Sequence, residues 1–273
     1  MTRSTNGRTH IMYFETLDVK VENGLASLVM DNPDAGNPMG ETFCREFGQA
    51  AAELAKRSDV RAILLSSRGR FFSVGGDVGL FLRDLDAAPQ EVLNGTYNLH
   101  MGLTRLLRMD APLVGCVHAA AAGGAVSLIS HCDIVYASRS SRFTAAYTRL
   151  GFTPDLGATF GLASRMGPAR AKRFLLMDES LDADEALSTG LVDYVVDDDE
   201  VLERATATAE SLRQGPTVAF GHIRRLVARS PTTHLETQLE DEAQCLAHAA
   251  STADAREGIA AFTERRPPSF VGR

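Results

Sequence analysis

Two glycine pairs, one loop aspartate and a few hydroxyl and imidazole side chains hold the chemistry this sequence can offer. The run His118-Ala-Ala-Ala-Ala-Gly-Gly-Ala-Val-Ser-Leu-Ile-Ser-His-Cys-Asp133 joins an apolar strand-like segment to an apolar helix-like one through almost nothing but Ala and Gly. A chain omits side chains where something must approach its backbone. Gly123-Gly124 falls at a helix N-terminus, where free N–H groups and the helix dipole favour negative charge. The Gly124 N–H can therefore hold a carbonyl oxygen that turns negative during a reaction; on this stretch alone, close strand–helix packing is the preferred account of the same glycines. Gly69-Arg-Phe-Phe-Ser-Val-Gly-Gly-Asp77 is a second Gly-rich turn after a strand, with Asp77 placed to cap the next helix. Asp155, in Gly151-Phe-Thr-Pro-Asp-Leu-Gly157, is either a chemical carboxylate or the N-cap of a helix beginning near Gly157.

The elements that position these groups follow from hydrophobic periodicity. Residues 14–21 and 25–30 alternate around Asn23-Gly24, a hairpin signal. Met39, Phe43, Phe47, Ala51 and Leu54 recur at helical spacing, residues 60–66 read as a buried strand, and 91–108 as a helix. Residues 112–117 and 133–137 are further strands, with a buried helix at 125–130 between them. Helices follow at 158–166, at 169–176 and after Asp182-Ala-Asp-Glu185, which is capped and stops at Gly190. One late strand at 191–196 precedes helices at 200–213, 217–228, 235–249 and 254–265. The order predicts a disordered tail at 1–12, an α/β core at 13–199 and a helical region at 200–273.

Composition narrows the partners. The chain has 273 residues, 44% of them hydrophobic, a net charge of −7 and a pI near 5.5. That balance argues against broad nucleic-acid binding, and the apolar runs are far shorter than the roughly 20 residues that span a bilayer. No secretory pattern follows Met1, so a soluble, cytoplasmic protein without membrane partners is expected. Cys44, Cys116, Cys132 and Cys245 are widely spaced and read as reduced core thiols. His118, His131, His222, His234 and His248 show no metal spacing, so no metal is expected.

Taken together, Phe72-Ser-Val-Gly-Gly-Asp77, Ala121-Ala-Gly-Gly-Ala125, Cys132-Asp-Ile-Val135, Gly151-Phe-Thr-Pro-Asp155 and Gly190-Leu-Val-Asp193 resemble the crotonase superfamily of enoyl-CoA hydratases and isomerases. The Pro154-Asp155 loop, Leu235-Glu-Thr-Gln-Leu-Glu240 and Arg256-Glu-Gly-Ile259 are similar to those of bacterial 1,2-epoxyphenylacetyl-CoA isomerases. The resemblance implies a spiral of ββα turns, a C-terminal helical trimerisation region, and a homotrimer or dimer of trimers. It implies an acyl-CoA thioester as substrate, with coenzyme A present only as part of it and no resident cofactor. Gly76 and Gly124 would be the two oxyanion-hole donors, Ser73, Gly75 and Asp77 would lie against the coenzyme, and Phe262 and Arg265 would meet its adenine and phosphate. Losing one such donor costs about 3–4 kcal/mol of barrier.

The departures from the family pattern redirect the chemistry. Hydratases of this family use two glutamates; the matching positions here are Ser127 and Tyr147. Neither is a general base near neutral pH, so ordinary alkene hydration is not expected. Several isomerases of the family carry their base at the position of Asp155, and one carboxylate suffices for a 1,3-proton shift. Related 4-chlorobenzoyl-CoA dehalogenases combine an Asp there with a His and an aromatic residue at the positions of His100 and Tyr147. Hydrolysis or dehalogenation through an Asp155 ester is therefore an alternative, and a noncatalytic acyl-CoA-binding protein is another. His100 reads as a helix-flank residue and Tyr147 as pocket wall, whose width is set by residues 80–97 and the Phe152 loop.

Overall fold

Strand formation begins earlier than the sequence pattern indicates. In the computed structural model, which describes residues 9–81 and 84–273, β1 (His10–Tyr13) pairs antiparallel with β2 (Leu17–Glu22), which pairs with β3 (Leu25–Met30). The tail read over residues 1–12 is corrected at its end, because residues 10–12 pair with the edge of β2 and so satisfy their backbone groups; residues 1–8 lie outside the described residues. Asn23 and Gly24 close the second hairpin at φ 51° and 90°, the two positive angles that a type I′ turn requires.

The chain then repeats one pattern with uneven lengths: a long strand, a very short strand, a helix. β3 leads to β4 (Pro38–Met39) and α1 (Glu41–Ala55); β5 (Ala62–Ser67) leads to β6 (Gly75–Gly76), α2 (Val78–Phe81) and α3 (Ala88–Arg108). β7 (Leu113–Val117) leads to β8 (Ala121–Ala122) and α4 (Gly124–Ile129), and β9 (Ile134–Ser138) to β10 (Arg142–Thr144), α5 (Ala158–Met166) and α6 (Pro168–Leu176). β11 (Ser180–Asp182), α7 (Ala183–Thr189) and β12 (Tyr194–Val196) close the series. The long sheet runs β1-β2-β3-β5-β7-β9-β12, parallel from β3 onward. The short strands form two separate sheets, β4-β6 and β8-β10-β11. This is the α/β spiral that the resemblance implies, and its unit escapes a fixed sequence period because each helix differs in length.

Parallel strands need cover on both faces, and β7 is buried along its whole length. α1 and α3 cover one face, where Phe43, Phe47 and Leu54 meet Leu99, Leu103 and Leu106. α8 (Val201–Arg213) covers the other: Val201, Ala205 and Ala209 pack on Leu64, Val114, Cys116 and Tyr136. The line drawn at residue 200 therefore cuts ahead of a helix that belongs to the sheet. α9 (Thr217–Arg229) is tied to the body by Arg224, whose Nε pairs with Asp133 at 2.7 Å and whose guanidinium also donates to the Ala111 carbonyl at 2.9 Å. α10 (Leu235–Ala250) buries no residue, and α11 (Ala253–Glu264) holds the C-terminus through Asp254, which accepts from Val271 and Gly272 N–H.

Glu46 on α1 is a buried carboxylate that joins the helix to the turn between β1 and β2. It accepts from Glu15 N–H at 3.0 Å, Thr16 N–H at 2.9 Å and the Thr16 hydroxyl at 2.6 Å. Burial pushes this carboxyl up, but the Thr16 and Glu15 hydrogen bonds and the Arg45 charge outweigh burial and hold it below the ordinary glutamate range. Glu46→Ala should cost about 2–4 kcal/mol in urea unfolding at pH 7. A depressed native pKa stabilises above the unfolded value, so the deficit relative to wild type should shrink as pH falls below about 4.

Candidate active site

The two Gly-rich turns are pressed together backbone to backbone. Gly75 has φ 85°, and a Cβ there would stand 2.6 Å from the Ala122 carbonyl oxygen; Ser73 forms a parallel bridge with Ala121. Asn37 fixes the first turn from below. It is 2% exposed, its amide donates to the carbonyls of Arg68 and Phe72 at 2.8 and 3.1 Å, and its oxygen accepts from Asn32 N–H at 2.8 Å. The Ser73 hydroxyl donates to the Asn37 carbonyl at 2.7 Å and accepts from Gly75 N–H at 3.1 Å. Ser73 and Gly75 are thus buried parts of the turn, with the Ser73 hydroxyl and the Gly75 N–H partnered inside the protein; neither lines the cleft described below. Asn37 was not singled out by its residue type; its signal lies in its left-handed backbone (φ 54°), which asparagine tolerates.

A cleft of about 580 Å³ opens beside these turns, lined by Gly76, Gly123, Gly124, Tyr147 and Asp155 among others. Gly124 is the first residue of α4, so its N–H has no acceptor within the helix. A Cβ on Gly124 would lie 2.9 Å from Met39 Sδ and 3.8 Å from Asp155 Oδ1, while one on Gly76 would meet no atom of the described residues within 4 Å. Asp77 also lines the cleft and accepts from Gly79 N–H at 3.0 Å, the cap the sequence indicates.

Asp155 and Tyr147 are held from several sides. Asp155 is not the cap of α5: Gly157 occupies that position without a side-chain cap, and the carboxylate instead accepts from Tyr147 Oη at 2.7 Å. Tyr147 Oη lies 2.8 Å from Ser127 Oγ; with its one hydrogen given to Asp155, it accepts from the serine. Burial and then the Asp155 charge push the Tyr147 phenol well above its ordinary range, so it stays a donor. Tyr147 N–H donates to Asp178 at 3.3 Å. Ala146 and Leu156, the neighbours of these two residues, have φ of 56° and 48°, each costing on the order of 1 kcal/mol. Such strain is kept where surrounding contacts over-determine the backbone.

His100 stands outside the cleft lining. Its Nε2 accepts from Leu156 N–H at 3.0 Å, which fixes the tautomer and anchors the residue next to Asp155. Cys44 lines the cleft with Leu99, and burial, with the Asp155 charge adding to it, pushes its thiol up to about 12. Cys116 and Cys132 are buried as read from sequence, whereas Cys245 on α10 is half-exposed and not core. Phe262 is 87% exposed on α11 and lines a separate apolar groove with Leu246 and Ile259, away from the cleft. Arg265 caps that helix at φ 55°. These two residues are not brought to the cleft within one chain: α11 lines its groove with α9 residues Val218 and Ala219 instead; the cation lining the cleft among the described residues is Arg45. Leu150 and Phe152 line the cleft, as do residues of α3 including Glu91, Asn94, Gly95 and Leu99. The role read for the side chains of residues 80–83 lies outside the described residues.

The family model described as enoyl-CoA hydratase/isomerase matches residues 20–273. The chain belongs to this family. It is 34% identical over 266 residues to a Rhodobacter capsulatus protein named "Probable enoyl-CoA hydratase", covering 96% of this chain and 100% of the relative. It is 31% identical to the 1,2-epoxyphenylacetyl-CoA isomerase of Escherichia coli, covering 93% and 97%. A solved enoyl-CoA hydratase/isomerase from Cupriavidus metallidurans superposes with a TM-score of 0.87 at 29% identity, covering 96% of this chain and 98% of that one. The relatives thus include both hydratases and isomerases.

Two measurements probe the site. Tyr147→Phe removes the donor to Asp155 and should lower kcat by about 10- to 100-fold, the worth of one charge-assisted hydrogen bond, with KM changed less than kcat in steady-state assays on acyl-CoA substrates. The raised Cys44 thiol is protonated at pH 8, so iodoacetamide followed by mass spectrometry should leave Cys44 unlabelled in the native enzyme and label it after denaturation.

Proposed function

We propose that the chain is a double-bond (or ring-type) isomerase acting on an acyl-CoA thioester through an enolate. Asp155 removes a proton from one carbon of the acyl chain. The electron pair passes to the thioester oxygen, which Gly76 N–H and Gly124 N–H hold, and Asp155 returns the proton to a second carbon on the same face. Preformed backbone donors suit this task because they need no reorganisation as charge develops.

The observation that carries the reading is the carboxylate of Asp155, 3.8 Å from the Cβ position of Gly124 and aimed by Tyr147 at 2.7 Å. At the two positions where a hydratase of the family has glutamates stand Ser127 and Tyr147, joined to each other at 2.8 Å. With hydroxyls there, water has no second carboxylate to activate it, which supports isomerisation over hydration. The hydrolytic alternative needs an imidazole free to activate water on an Asp155 ester. His100 Nε2 is already engaged by Leu156 N–H, which speaks against it. The unburied helix α10 and the exposed Phe262, Leu246 and Ile259 support the self-association that the resemblance implies.

NMR in heavy water tests the mechanism. Wild type should exchange the α-proton of 3-enoyl-CoA substrates and convert them to 2-enoyl products, and Asp155→Asn should lose at least about 100-fold in both. Near-normal turnover by Asp155→Asn sinks the assignment. Binding without exchange would instead identify a noncatalytic acyl-CoA-binding protein, and an aspartyl adduct trapped by rapid-quench mass spectrometry would favour the hydrolytic route.

A further inference from the structure

Glycine inside a helix is destabilising unless a neighbour needs the space. At the crossing of α1 and α3 that need is plain at two places. A Cβ on Gly48 would lie 3.0 Å from the Asn98 carbonyl, and one on Gly102 would lie 2.7 Å from the Phe47 ring. Gly95, two turns before Gly102 on α3, differs. Its backbone is helical, and among the described residues a Cβ there would meet only Cys44 Sγ, at an ordinary 3.8 Å. Packing among the described residues does not call for glycine at 95.

Gly95 instead faces the cleft, where it stands with Met39, Cys44 and Leu99. Those three side chains are buried to 7% exposure or less. The interface between α1 and α3 is therefore closed at Gly48 and Gly102 and opens at Cys44 and Gly95 into an apolar end of the cleft. The same combination recurs at Gly76, where the missing side chain also leaves room that no atom of the described residues fills. The remaining walls carry large apolar side chains half-open to the cleft: Val74 42%, Val78 39%, Val92 40%, Leu150 50% and Phe152 40% exposed. Such a lining suits an apolar ligand that covers it.

We infer that Gly95 is a specificity-determining residue that keeps the α1–α3 end of the cleft open for the acyl group, so that the substrates are CoA thioesters with an apolar body larger than a short chain, linear or aromatic. The inference rests on the acyl-CoA reading above. Gly95→Ala adds one methyl group to a helix without a clash, so it should raise Tm by about 2–4 °C, which also shows that the variant is folded. Gly95→Leu fills the opening.

Calorimetric titration of wild type with acetyl-CoA, decanoyl-CoA and phenylacetyl-CoA measures the preference without relying on turnover. Wild type should bind at least one of the two larger esters ten times or more tightly than acetyl-CoA; whichever ester it is distinguishes a linear from an aromatic occupant. In Gly95→Leu that ratio should fall to about one, with Gly95→Ala in between. Equal binding of the three esters by wild type, or an unchanged ratio in a folded Gly95→Leu, overturns the inference. Size-selective binding without isomerisation would leave the inference standing and sink the isomerase reading alone, and isomerisation without size selection would do the reverse.

Discussion

The approach of the Gly75 backbone to the Ala122 carbonyl is the contact on which the site depends. At 2.6 Å from a notional Cβ, no side chain fits between the two turns, so β6 and β8 lie against each other and set Gly76 and Gly124 on one wall. The contact is short because the polar groups behind it are satisfied elsewhere: Asn37 takes the carbonyls of the 68–72 segment and the Ser73 hydroxyl takes both Asn37 O and Gly75 N–H. Burying those groups without partners would cost several kcal/mol in total. The outcome is that two different turns of one spiral bring Gly76 and Gly124 to the same cleft.

The Asp155 carboxylate is held by a different logic. Asp155 sits on a loop between two helical pieces, and loops do not fix carboxylates by themselves. Here the fixing is polar and local: Tyr147 Oη on the carboxylate, Ser127 on the tyrosine, Asp178 on the Tyr147 amide, His100 on Leu156 N–H. The positive φ values at Ala146 and Leu156 are the cost of turning both side chains inward.

The helices after the spiral divide by what they cover. α8 buries Val201, Ala205 and Ala209 against the sheet, and small residues there let the helix lie close. α10 buries nothing and presents Leu235, Leu239 and Leu246 to solvent. In sequence both read simply as helices, since periodicity reports that a segment is helical and not which surface meets it.

The sequence by itself determined the hairpin at Asn23-Gly24, the capping box at Asp182 and Glu185, the order of long strands and helices, and the Gly-rich turns, because each is written in residues a few positions apart. The resemblance carried by those motifs added the spiral and the pairing of Gly76 with Gly124. Tertiary structure alone decided that Asp155 takes a hydroxyl instead of capping α5, that His100 spends its lone pair on Leu156, that Ser73 turns inward, and that Gly95 faces a space. Each depends on a rotamer or a close approach between segments distant in the chain or separately folded. Local propensity does not encode such contacts; they are fixed only when the helices and turns pack together.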